Sequence, residues 1–449
     1  MNDIDTSMLI ARRVNEKGGR AYFVGGCVRD ELLGIEVKDI DIEVHGIEPE
    51  DLRVILEDIG EVITVGNSFG VFMLKGHDID IALPRSERAT GTGHRDFEIT
   101  SDPFMGTKEA ARRRDFTVNA LMKDVLTGKI EDHFGGLDDL KNKVLRHIDD
   151  STFPEDPLRV LRAAQFAARF GFTVADTTKE LCSQIDISTL SQERIFDELI
   201  KALLRSDRPS VFFRTLSEMD QLGHWFPEVR DLIGVPQNTK YHLEGDVFVH
   251  TMMVIDEAAS RRNEALDSTG FMLSALCHDF GKAVATTEED GIFHAYQHEI
   301  KGLPLVENFM SRITNEKDLI RYVLNMTRFH MDPNRFAAAG AKIKSTNRLF
   351  DGSVCPEDLI LIATCDARGK IPSADNYEPF LRERLAVYRE YMERPYVTGN
   401  DLIGAGIKPG KEFSGLLGFA HKLRLAGVDK ESALKQVLSM EGKLPPETP

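Results

Sequence analysis

Residues 21–44 read AYFVGGCVRDELLGIEVKDIDIEV, an apolar run followed by a glycine pair and two closely spaced aspartates. The β-formers at 21–24 and 39–44 predict strands, and the stretch after the glycines predicts a helix. Side chains two residues apart in a strand share a face, so Asp39 and Asp41 project together. Two such carboxylates repel unless a cation lies between them, and Mg²⁺ prefers hard oxygen ligands and phosphates. The spacing predicts a magnesium site, with a polar strand face as the alternative.

The turn before these aspartates has the residues of a phosphate-binding loop. Gly25 and Gly26 carry no side chain, so their backbone N–H groups can approach a phosphate. Arg29 adds a fork-shaped cationic donor three residues later. A glycine pair alone is typical of any tight turn, but the arginine and the two aspartates nearby favour a nucleotide site.

A third carboxylate is expected from a neighbouring strand. The run HDIDIAL at 77–83 predicts a strand with Asp80 near its centre. Glu43 is the rival candidate, because it shares a strand face with Asp39 and Asp41. We favour Asp80, with a solvated strand edge as the other interpretation of that run.

Composition limits the class of protein. The 449 residues are 42% hydrophobic, which excludes wholesale disorder and suggests roughly three domains at about 150 residues each. The sequence contains no long apolar run and no signal-peptide pattern at its start, so we expect a soluble cytoplasmic protein without membrane association. Five scattered cysteines predict neither a disulfide framework nor a zinc knuckle. The net charge of −17 argues mildly against nucleic-acid binding.

The predicted secondary structure changes near residue 150. Before it, strand-like runs such as 69–74 alternate with turns, whereas PLRVLRAAQFAARFGF at 157–172 begins a long succession of helical patterns. The glycine- and threonine-rich stretch 86–111 predicts a long loop. We therefore expect an α+β fold in four parts: a head with a small mixed sheet (1–150), a helical neck (151–215), a helical body (216–395) and a helical tail (396–449).

Three further blocks identify a family. RRRDFTVNAL at 112–121, EDPLR at 155–159 and QERIFDEL at 192–199 follow the aspartates, and VTGNDLIGAGIKPG lies at 397–410. In this order the blocks resemble bacterial class II tRNA nucleotidyltransferases and their poly(A) polymerase relatives, within the DNA polymerase β superfamily. The resemblance implies a polymerase-β-like head that uses Mg²⁺ on Asp39 and Asp41, and it implies CTP, ATP and the tRNA 3′ end as substrates.

The EDPLR block offers a physical means of choosing a base. On a helix, Asp156 and Arg159 would share a face, the aspartate accepting and the arginine donating hydrogen bonds. Cytosine and adenine match that pair, whereas uracil and guanine present a carbonyl to the aspartate and an N–H to the arginine. Each buried mismatch costs about 1–3 kcal/mol. An ordinary surface salt bridge is the alternative for an isolated pair of this spacing.

The resemblance also assigns neighbouring residues. It implies that Arg162, together with Arg113 or Arg114, lies near the nucleotide phosphates. Which of the arginines at 112–114 points inward stays open, and one of them is expected to pack outward or pair with a carboxylate. The loop predicted at 86–111 is similar to the flexible loop that full CCA-adding enzymes use between C and A addition.

The helical body carries a second set of chemically active side chains. Four of them, in an H…HD…D order, resemble the metal ligands of the HD phosphohydrolase superfamily: His250, His278, Asp279 and Asp366. Such ligands suit Ni²⁺, Mn²⁺, Co²⁺ or Zn²⁺. His298 and His330 fall where HD enzymes carry accessory histidines. The resemblance implies hydrolysis of 2′,3′-cyclic phosphate ends, with 2′-nucleotidase or phosphatase action.

These observations favour an enzyme that adds C, C and A to tRNA and also carries an HD hydrolase. The alternatives are a partial-specificity CC- or A-adding enzyme, a poly(A) polymerase, and an HD hydrolase whose head serves as an RNA-binding module. A homodimer is left open. Despite the acidic balance, tRNA is expected along local basic strips, with these candidates: Arg162, Arg169, Arg382, Arg384, Lys422 and Arg424.

Overall fold

The computed structural model describes residues 2–37, 39–65, 71–89, 97–410 and 412–440. The chain divides into two compact units, one formed by residues 1–199 and 214–224 and the other by residues 200–213 and 225–449. Within the part of the chain that is described, no helix is both long and apolar enough to cross a membrane.

The first unit mixes helices and strands, and its last two helices run across the division between the units. In chain order its elements are α1 (Asp3–Glu16), β1 (Arg20–Val24), α2 (Gly26–Leu32), β2 (Ile40–His45), α3 (Pro49–Glu57), β3 (Val62–Val65), β4 (Val71–Leu74), β5 (Ile79–Ala82), β6 (Arg85–Ala89), β7 (Phe97–Ser101), α4 (Thr107–Arg112), β8 (Met122–Asp124), β9 (Ile130–Glu131), α5 (Gly136–Asn142), β10 (Val144–Leu145), α6 (Leu158–Phe170), β11 (Thr173–Val174), α7 (Asp176–Ser183), α8 (Gln192–Arg205) and α9 (Ser210–Glu218).

The head is built on a seven-stranded mixed sheet with the order β3-β4-β5-β2-β1-β8-β9. Its neighbours pair antiparallel, except that β2 and β5 are parallel and place Asp41 opposite Asp80. The strands predicted from the sequence are confirmed, with ends shifted by one or two residues. The predicted α+β class with a small mixed sheet is therefore correct.

One face of this sheet packs against α1 and α3. Ile40, Ile42 and Val44 of β2 lie in a buried apolar cluster with residues such as Ile10 of α1 and Leu52 of α3. Because side chains alternate along a strand, the odd-numbered residues of β2 project from the opposite face. The apolar contacts of the even positions thus fix which face carries the aspartates.

The stretch 86–111 is not the uniform loop predicted from its composition. Strands β6 and β7 pair antiparallel from Arg85↔Ser101 to Ala89↔Phe97, and α4 begins at Thr107. The possible flexible-loop tip, residues 90–96, lies outside the described residues. The glycine and threonine content suggested a loop, but the sequence of β7 includes the strand formers Phe97, Ile99 and Thr100.

The second unit is mainly helical. Its elements are α10 (Pro227–Arg230), α11 (Val247–Arg261), α12 (Ser268–Cys277), α13 (Lys282–Ala285), β12 (Thr286–Glu289), β13 (Ile292–Ala295), α14 (His298–Lys301), α15 (Leu303–Ile313), α16 (Lys317–Phe329), α17 (Asp332–Ala338), α18 (Ile343–Gly352), α19 (Pro356–Arg368), α20 (Glu378–Glu393), α21 (Gly399–Gly404), α22 (Phe413–Leu425) and α23 (Lys430–Leu438).

The body departs from an all-helical prediction in the hairpin of β12 and β13. Asp290 and Gly291 join the strands with φ of 52° and 77°. Positive φ at both central residues is the geometry of a type I′ turn, for which Asp-Gly is a favoured pair. The hairpin therefore has a local sequence signal that the helical reading of this region missed.

A buried polar network joins α2, the 112–121 block and α6. Arg29 is 4% exposed and donates to Asp30 and, at 2.7 Å, to Asn119 Oδ1. Asn119 Nδ2 donates to Asp115 Oδ1 at 2.9 Å, and Arg162 binds the other oxygen of Asp115 at 2.7 Å. Each side chain of the network forms a hydrogen bond or ion pair with the next, so the network connects three segments that are distant in sequence.

We expect Asn119→Ala to lower the free energy of opening of the head by about 3 kcal/mol, because Arg29 and Asp115 would lose hydrogen bonds while staying buried. Hydrogen-exchange mass spectrometry of peptides from β1 and α6 measures this change. Arg112→Ala, which breaks a half-exposed pair with Asp149, is the control and should leave protection nearly unchanged. Equal effects of the two substitutions would contradict a structural role for the network.

Candidate functional site

The head presents its carboxylates on the sheet face away from α1 and α3. Asp41 and Asp80 lie opposite each other on parallel strands, and Asp39 directly precedes β2. Burial, together with the negative charges of Asp80 and Asp39, raises the pKa of Asp41, although Arg114 opposes this. The structure therefore brings the three predicted residues to one end of adjacent strands, where their mutual repulsion favours a bound cation.

Glu43, the rival third carboxylate, has other partners. One of its oxygens lies 2.8 Å from His45 Nε2, and the other accepts a hydrogen bond from Arg114 at 2.9 Å. Although burial raises the pKa of Glu43, its contacts with His45 and Arg114 lower it overall. Glu43 is thus a buried anchor for Arg114, and the position beside Asp41 belongs to Asp80.

A cleft of about 430 Å³ adjoins these strands. Its lining brings together predicted residues from four separate stretches of the sequence: Asp41, Asp80, Arg113, Arg114, Asp156 and Arg159. Two of the carboxylates lie on β2 and β5, and the EDPLR block adds both a carboxylate and an arginine. The cleft thus combines groups suited to a divalent cation with groups suited to a polyphosphate.

The three consecutive arginines have different positions. Arg112 pairs outward with Asp149, whereas Arg113 and Arg114 line the cleft. The buried Nε of Arg114 is one of the side-chain atoms of the described residues that finds no hydrogen-bond partner. Gly25, with φ of 68°, borders this arginine: a Cβ there would lie 3.3 Å from Arg114 Nη1 and 3.6 Å from Asp41 Oδ2. Glycine at this position leaves the guanidinium and the carboxylate close together.

Arg29 has partners that the sequence analysis did not predict. Its guanidinium is buried against Phe170, at 4.4 Å from the ring centre, and it is bound to Asp30 and Asn119. Gly26 faces this arginine rather than the cleft, with a built Cβ 3.5 Å from Arg29 Nη2. The fork of Arg29 is therefore used within the fold, and the binding of a phosphate by this arginine stays a prediction.

Asp156 and Arg159 do not share a helical face, as the spacing suggested. Helix α6 begins at Leu158 after Pro157, so Asp156 precedes the helix in an extended conformation. Both residues still line the cleft. Arg159 donates to the carbonyl oxygens of Thr152 at 2.7 Å and Arg113 at 2.6 Å. The main chain thus holds this guanidinium in place.

Two neighbours complete this part of the site. Arg194 Nη2 lies 2.9 Å from each oxygen of Asp156, a contact for which the QERIFDEL block was the only signal in the sequence. Arg162, expected near the phosphates, instead forms its ion pair with Asp115 and stacks on Phe166. It is not among the residues that line the described cleft.

The second unit brings its predicted metal ligands together in the interior. His250 lies on α11, Asp366 on α19, and His278 and Asp279 follow α12. His250 Nε2 is 3.1 Å from Asp366 Oδ1 and 3.4 Å from Asp279 Oδ2, and His278 Nε2 is 3.2 Å from the same Asp279 oxygen. The four residues, far apart in sequence, thus form one cluster.

The accessory histidines approach the other oxygen of Asp279. His298 Nε2 lies 3.1 Å and His330 Nε2 3.8 Å from Asp279 Oδ1. Among the described residues, sets of three or more ligand atoms within 4.8 Å of one another occur only in this unit, so the head carboxylates are more widely spaced. Asp279 belongs to two of these sets, one on each side of its carboxylate.

Three of the imidazoles are oriented by hydrogen bonds that their Nδ1–H groups donate. His278, His298 and His330 each donate Nδ1–H to the carbonyl three residues earlier, at 2.8, 2.9 and 2.6 Å. Each ring therefore directs Nε2 toward Asp279, and in the neutral ring this atom would carry the lone pair that a cation binds. Burial near other imidazoles lowers the pKa of His330 to about 3, so this ring is neutral at pH 7.

The carboxylates of the cluster stay charged despite burial. Burial alone would raise the pKa of Asp279, but Lys282, 2.7 Å away, and the adjacent imidazoles hold it well below its usual value. Asp279 Oδ2 is nevertheless among the buried atoms of the described residues that accept no hydrogen bond of proper geometry. An ionised oxygen that faces several imidazole nitrogens fits a divalent cation, which would bind the neutral form of each ring.

A pocket of about 260 Å³ opens onto Asp279 and Asp366. Lys282 and Lys370 contribute positive charge to its lining, and Tyr241, Phe293 and His294 contribute aromatic rings. The sequence analysis assigned none of these residues a role. The lysine directly after the His278-Asp279-Phe280-Gly281 run was the available signal for the first of them.

Comparisons with known proteins identify the relatives of this chain. A family profile described as "Poly A polymerase head domain" matches residues 21–146, and one described as "Probable RNA and SrmB- binding site of polymerase A" matches residues 171–233. The "Multifunctional CCA protein" of Pasteurella multocida is 37% identical over 402 residues, which is 87% of this chain and 92% of that protein. The protein of the same name from Nitrosospira multiformis is 39% identical, covering 71% and 75%.

Solved structures of CCA-adding enzymes share the fold. The Thermotoga maritima enzyme complexed with tRNA matches with a TM-score of 0.65 at 22% identity, covering 97% of this chain and 95% of that one. The Bacillus stearothermophilus enzyme with CTP matches with a TM-score of 0.67 at 21% identity, covering 98% of each chain. A CCA-adding enzyme with ATP gives 0.68 at 22% identity, covering 99% and 96%. The identity and coverage of the relatives establish that this chain belongs to the family of multifunctional CCA proteins, which are tRNA nucleotidyltransferases.

Proposed function

We propose that this protein adds C, C and A to the 3′ end of tRNA from CTP and ATP and releases pyrophosphate. The observation that carries the proposal is the single cleft that combines Asp41 and Asp80 with Arg114, Asp156 and Arg159. Relatives named multifunctional CCA proteins, and structures of CCA-adding enzymes with tRNA, CTP or ATP, support the same activity. The proposed location is the cytoplasm.

The head residues fit a divalent cation, for which the family favours Mg²⁺. Asp39, Asp41 and Asp80 would hold it, since burial and the charges of Asp80 and Asp39 raise the pKa of Asp41, and a bound cation would offset both effects. When bound, Mg²⁺ lowers the pKa of the attacking 3′-hydroxyl and neutralises charge on the leaving pyrophosphate. Arg113 and Arg114 are placed to bind the triphosphate, and the unpartnered Nε of Arg114 supports this role.

Base choice is assigned to Asp156 and Arg159. Arg194 holds the Asp156 carboxylate, whose remaining lone pairs can accept the amino group of cytosine or adenine. Arg159, held by the carbonyls of Thr152 and Arg113, keeps N–H groups that can donate to a ring nitrogen of the same base. The pair needs no nucleic-acid template, because both groups are fixed by the protein.

The second unit supports a separate hydrolytic activity. We propose that its cluster binds Ni²⁺, Mn²⁺ or Co²⁺ through His250, His278, Asp279 and Asp366, with His298 and His330 next to the same carboxylate. Such a cation makes hydroxide available near neutral pH. Lys282 and Lys370 are placed to bind a phosphate in the adjoining pocket. The proposed substrates are 2′,3′-cyclic phosphates and 2′-phosphates.

A partial-specificity CC- or A-adding enzyme and a poly(A) polymerase would use the same head groups. A protein that is mainly an HD hydrolase would add no nucleotide at all. Incubating tRNA that lacks its CCA end with labelled CTP, with labelled ATP, or with both separates these cases. Addition of two C residues followed by one A, dependent on both nucleotides, is the expected result. Extended A tracts or a halt after CC would favour the alternatives.

Asp39→Ala and Asp41→Ala should each lower both C and A addition by about 10³-fold or more, because the cation loses a ligand. Addition is measured on tRNA substrates ending before the first C and before the A. Asp78→Ala removes an exposed carboxylate near the same strand and is the matched control. Addition at a near-normal rate in both active-site variants would refute the proposed metal site.

Asp156→Ala should reduce the preference for CTP and ATP over UTP and GTP by roughly 10- to 100-fold, because one unfavourable contact of about 1–3 kcal/mol disappears for the wrong bases. The ratio of kcat/KM values for the four nucleotides reports the change. Glu193→Ala, an exposed acid on α8, serves as the control. A variant that loses rate yet discriminates as well as the wild type would rule out this role.

His278→Ala and Asp279→Ala should eliminate hydrolysis of 2′,3′-cyclic AMP supported by Ni²⁺, Mn²⁺ or Co²⁺, since the cluster loses a ligand. CCA addition by the same preparations should persist. His421→Ala, which removes a half-exposed histidine paired with Asp351, controls for adventitious metal binding. Absence of hydrolysis by the wild type with every metal, or parallel loss of both activities, would reduce the cluster to a structural feature.

A further inference from the structure

Glu244 lies in a tight turn just before α11 and is buried, with a side chain only 1% exposed. Gly245 follows it with φ of 124°, a conformation that favours glycine. Asp246 then caps α11 by accepting from the Val249 N–H at 2.8 Å, and its other oxygen accepts from the Gly234 N–H at 2.7 Å. Gly245 and the cap together hold Glu244 ahead of the first turn of α11, six residues before His250.

Both oxygens of Glu244 are occupied as hydrogen-bond acceptors. Oε1 lies 3.1 Å from His250 Nδ1 and 2.7 Å from His242 Nδ1, and Oε2 accepts from the Ile371 N–H at 2.9 Å. An ionised carboxylate only accepts, so both imidazoles must carry their proton on Nδ1. In the neutral ring, Nε2 would then carry the lone pair for a cation, and this atom lies 3.1 Å from Asp366 and 3.4 Å from Asp279.

This arrangement distinguishes His250 from the other three imidazoles of the cluster. His278, His298 and His330 donate Nδ1–H to backbone carbonyls, whereas His250 donates to a carboxylate. A buried charge costs free energy unless it is well paired, and a carboxylate partner makes an imidazole a stronger ligand than a neutral carbonyl does. His250 is therefore the one imidazole among these four whose Nδ1 partner is a buried charged group.

We infer that Glu244 is a positioning residue that sets the metal affinity of the second unit through His250. It fixes the tautomer of that ring and strengthens Nε2 as a ligand without contacting the cation. The inference rests on the proposed metal site of this unit. It is independent of CCA addition, whose residues all lie in the first unit.

Titration of the metal-free full-length protein with Mn²⁺ by calorimetry tests this role. Glu244→Gln preserves the shape of the side chain and removes its charge, and we expect its Kd for Mn²⁺ to rise about 10- to 100-fold with the number of bound ions unchanged. Glu289→Gln, the same substitution at the exposed end of β12, should bind like the wild type. CCA addition should be equal in all three proteins.

The outcomes distinguish a failure of the role of Glu244 from a failure of the proposed metal site. A wild type that binds no Mn²⁺ refutes the metal site itself, whereas equal Kd values for wild type and Glu244→Gln refute only the role of Glu244. Loss of one bound ion per chain would make Glu244 a direct ligand and overturn the positioning role.

A second variant guards against misfolding. Glu244→Asp keeps the charge on a shorter side chain, and hydrogen exchange of α11 peptides verifies that each variant retains the helix. We expect a Kd for Glu244→Asp between those of the wild type and Glu244→Gln. If both variants keep α11 protected but bind Mn²⁺ equally weakly, the charge of Glu244 does not set the affinity.

Discussion

The parallel pairing of β2 with β5 determines where the chemistry of the head can occur. It places Asp41 opposite Asp80, and the connection between the two strands passes through α3, β3 and β4. A slip of one residue would turn the aspartates into the apolar layer formed by Ile10 and Leu52. The packing of alternate isoleucines against α1 and α3 therefore specifies the active face as firmly as it specifies the core.

The two sites handle buried charge differently. In the head, Asp115 and Glu43 are balanced by arginine or histidine, while Asp41 keeps a raised pKa and so remains uncompensated. In the body, Lys282 and the imidazoles already hold Asp279 in its ionised form. The head is thus arranged to gain stability when a cation and a nucleotide arrive together, whereas the body offers a largely preformed set of ligands.

Local spacing allowed much of this to be predicted from the sequence. The strands that carry Asp41 and Asp80 follow from patterns of a few residues, whereas the HD set was expected from the resemblance to a family. The residues whose surroundings were not predicted either have partners that are distant in sequence or lie at the start of a helix. Arg29 binds Asn119, 90 positions away, and no local pattern reveals that contact. The start of α6 after Pro157, which separates Asp156 from Arg159, did have a signal, because proline favours the first positions of a helix.

The ion pairs of the arginines bear on how a chain with a negative net charge would bind RNA. Several arginines expected to meet RNA are engaged within the protein: Arg162 with Asp115, Arg382 with Glu378, and Arg424 with main-chain carbonyls near Tyr391. Cations already paired with carboxylates add little to the attraction of a phosphate backbone. With a net charge of −17, a broad electrostatic field cannot be the main source of RNA affinity. The proposed recognition of the substrate therefore rests on short-range contacts, and in the head the charged side chains proposed for them line one cleft, Arg113 and Arg114 together with Asp41 and Asp80.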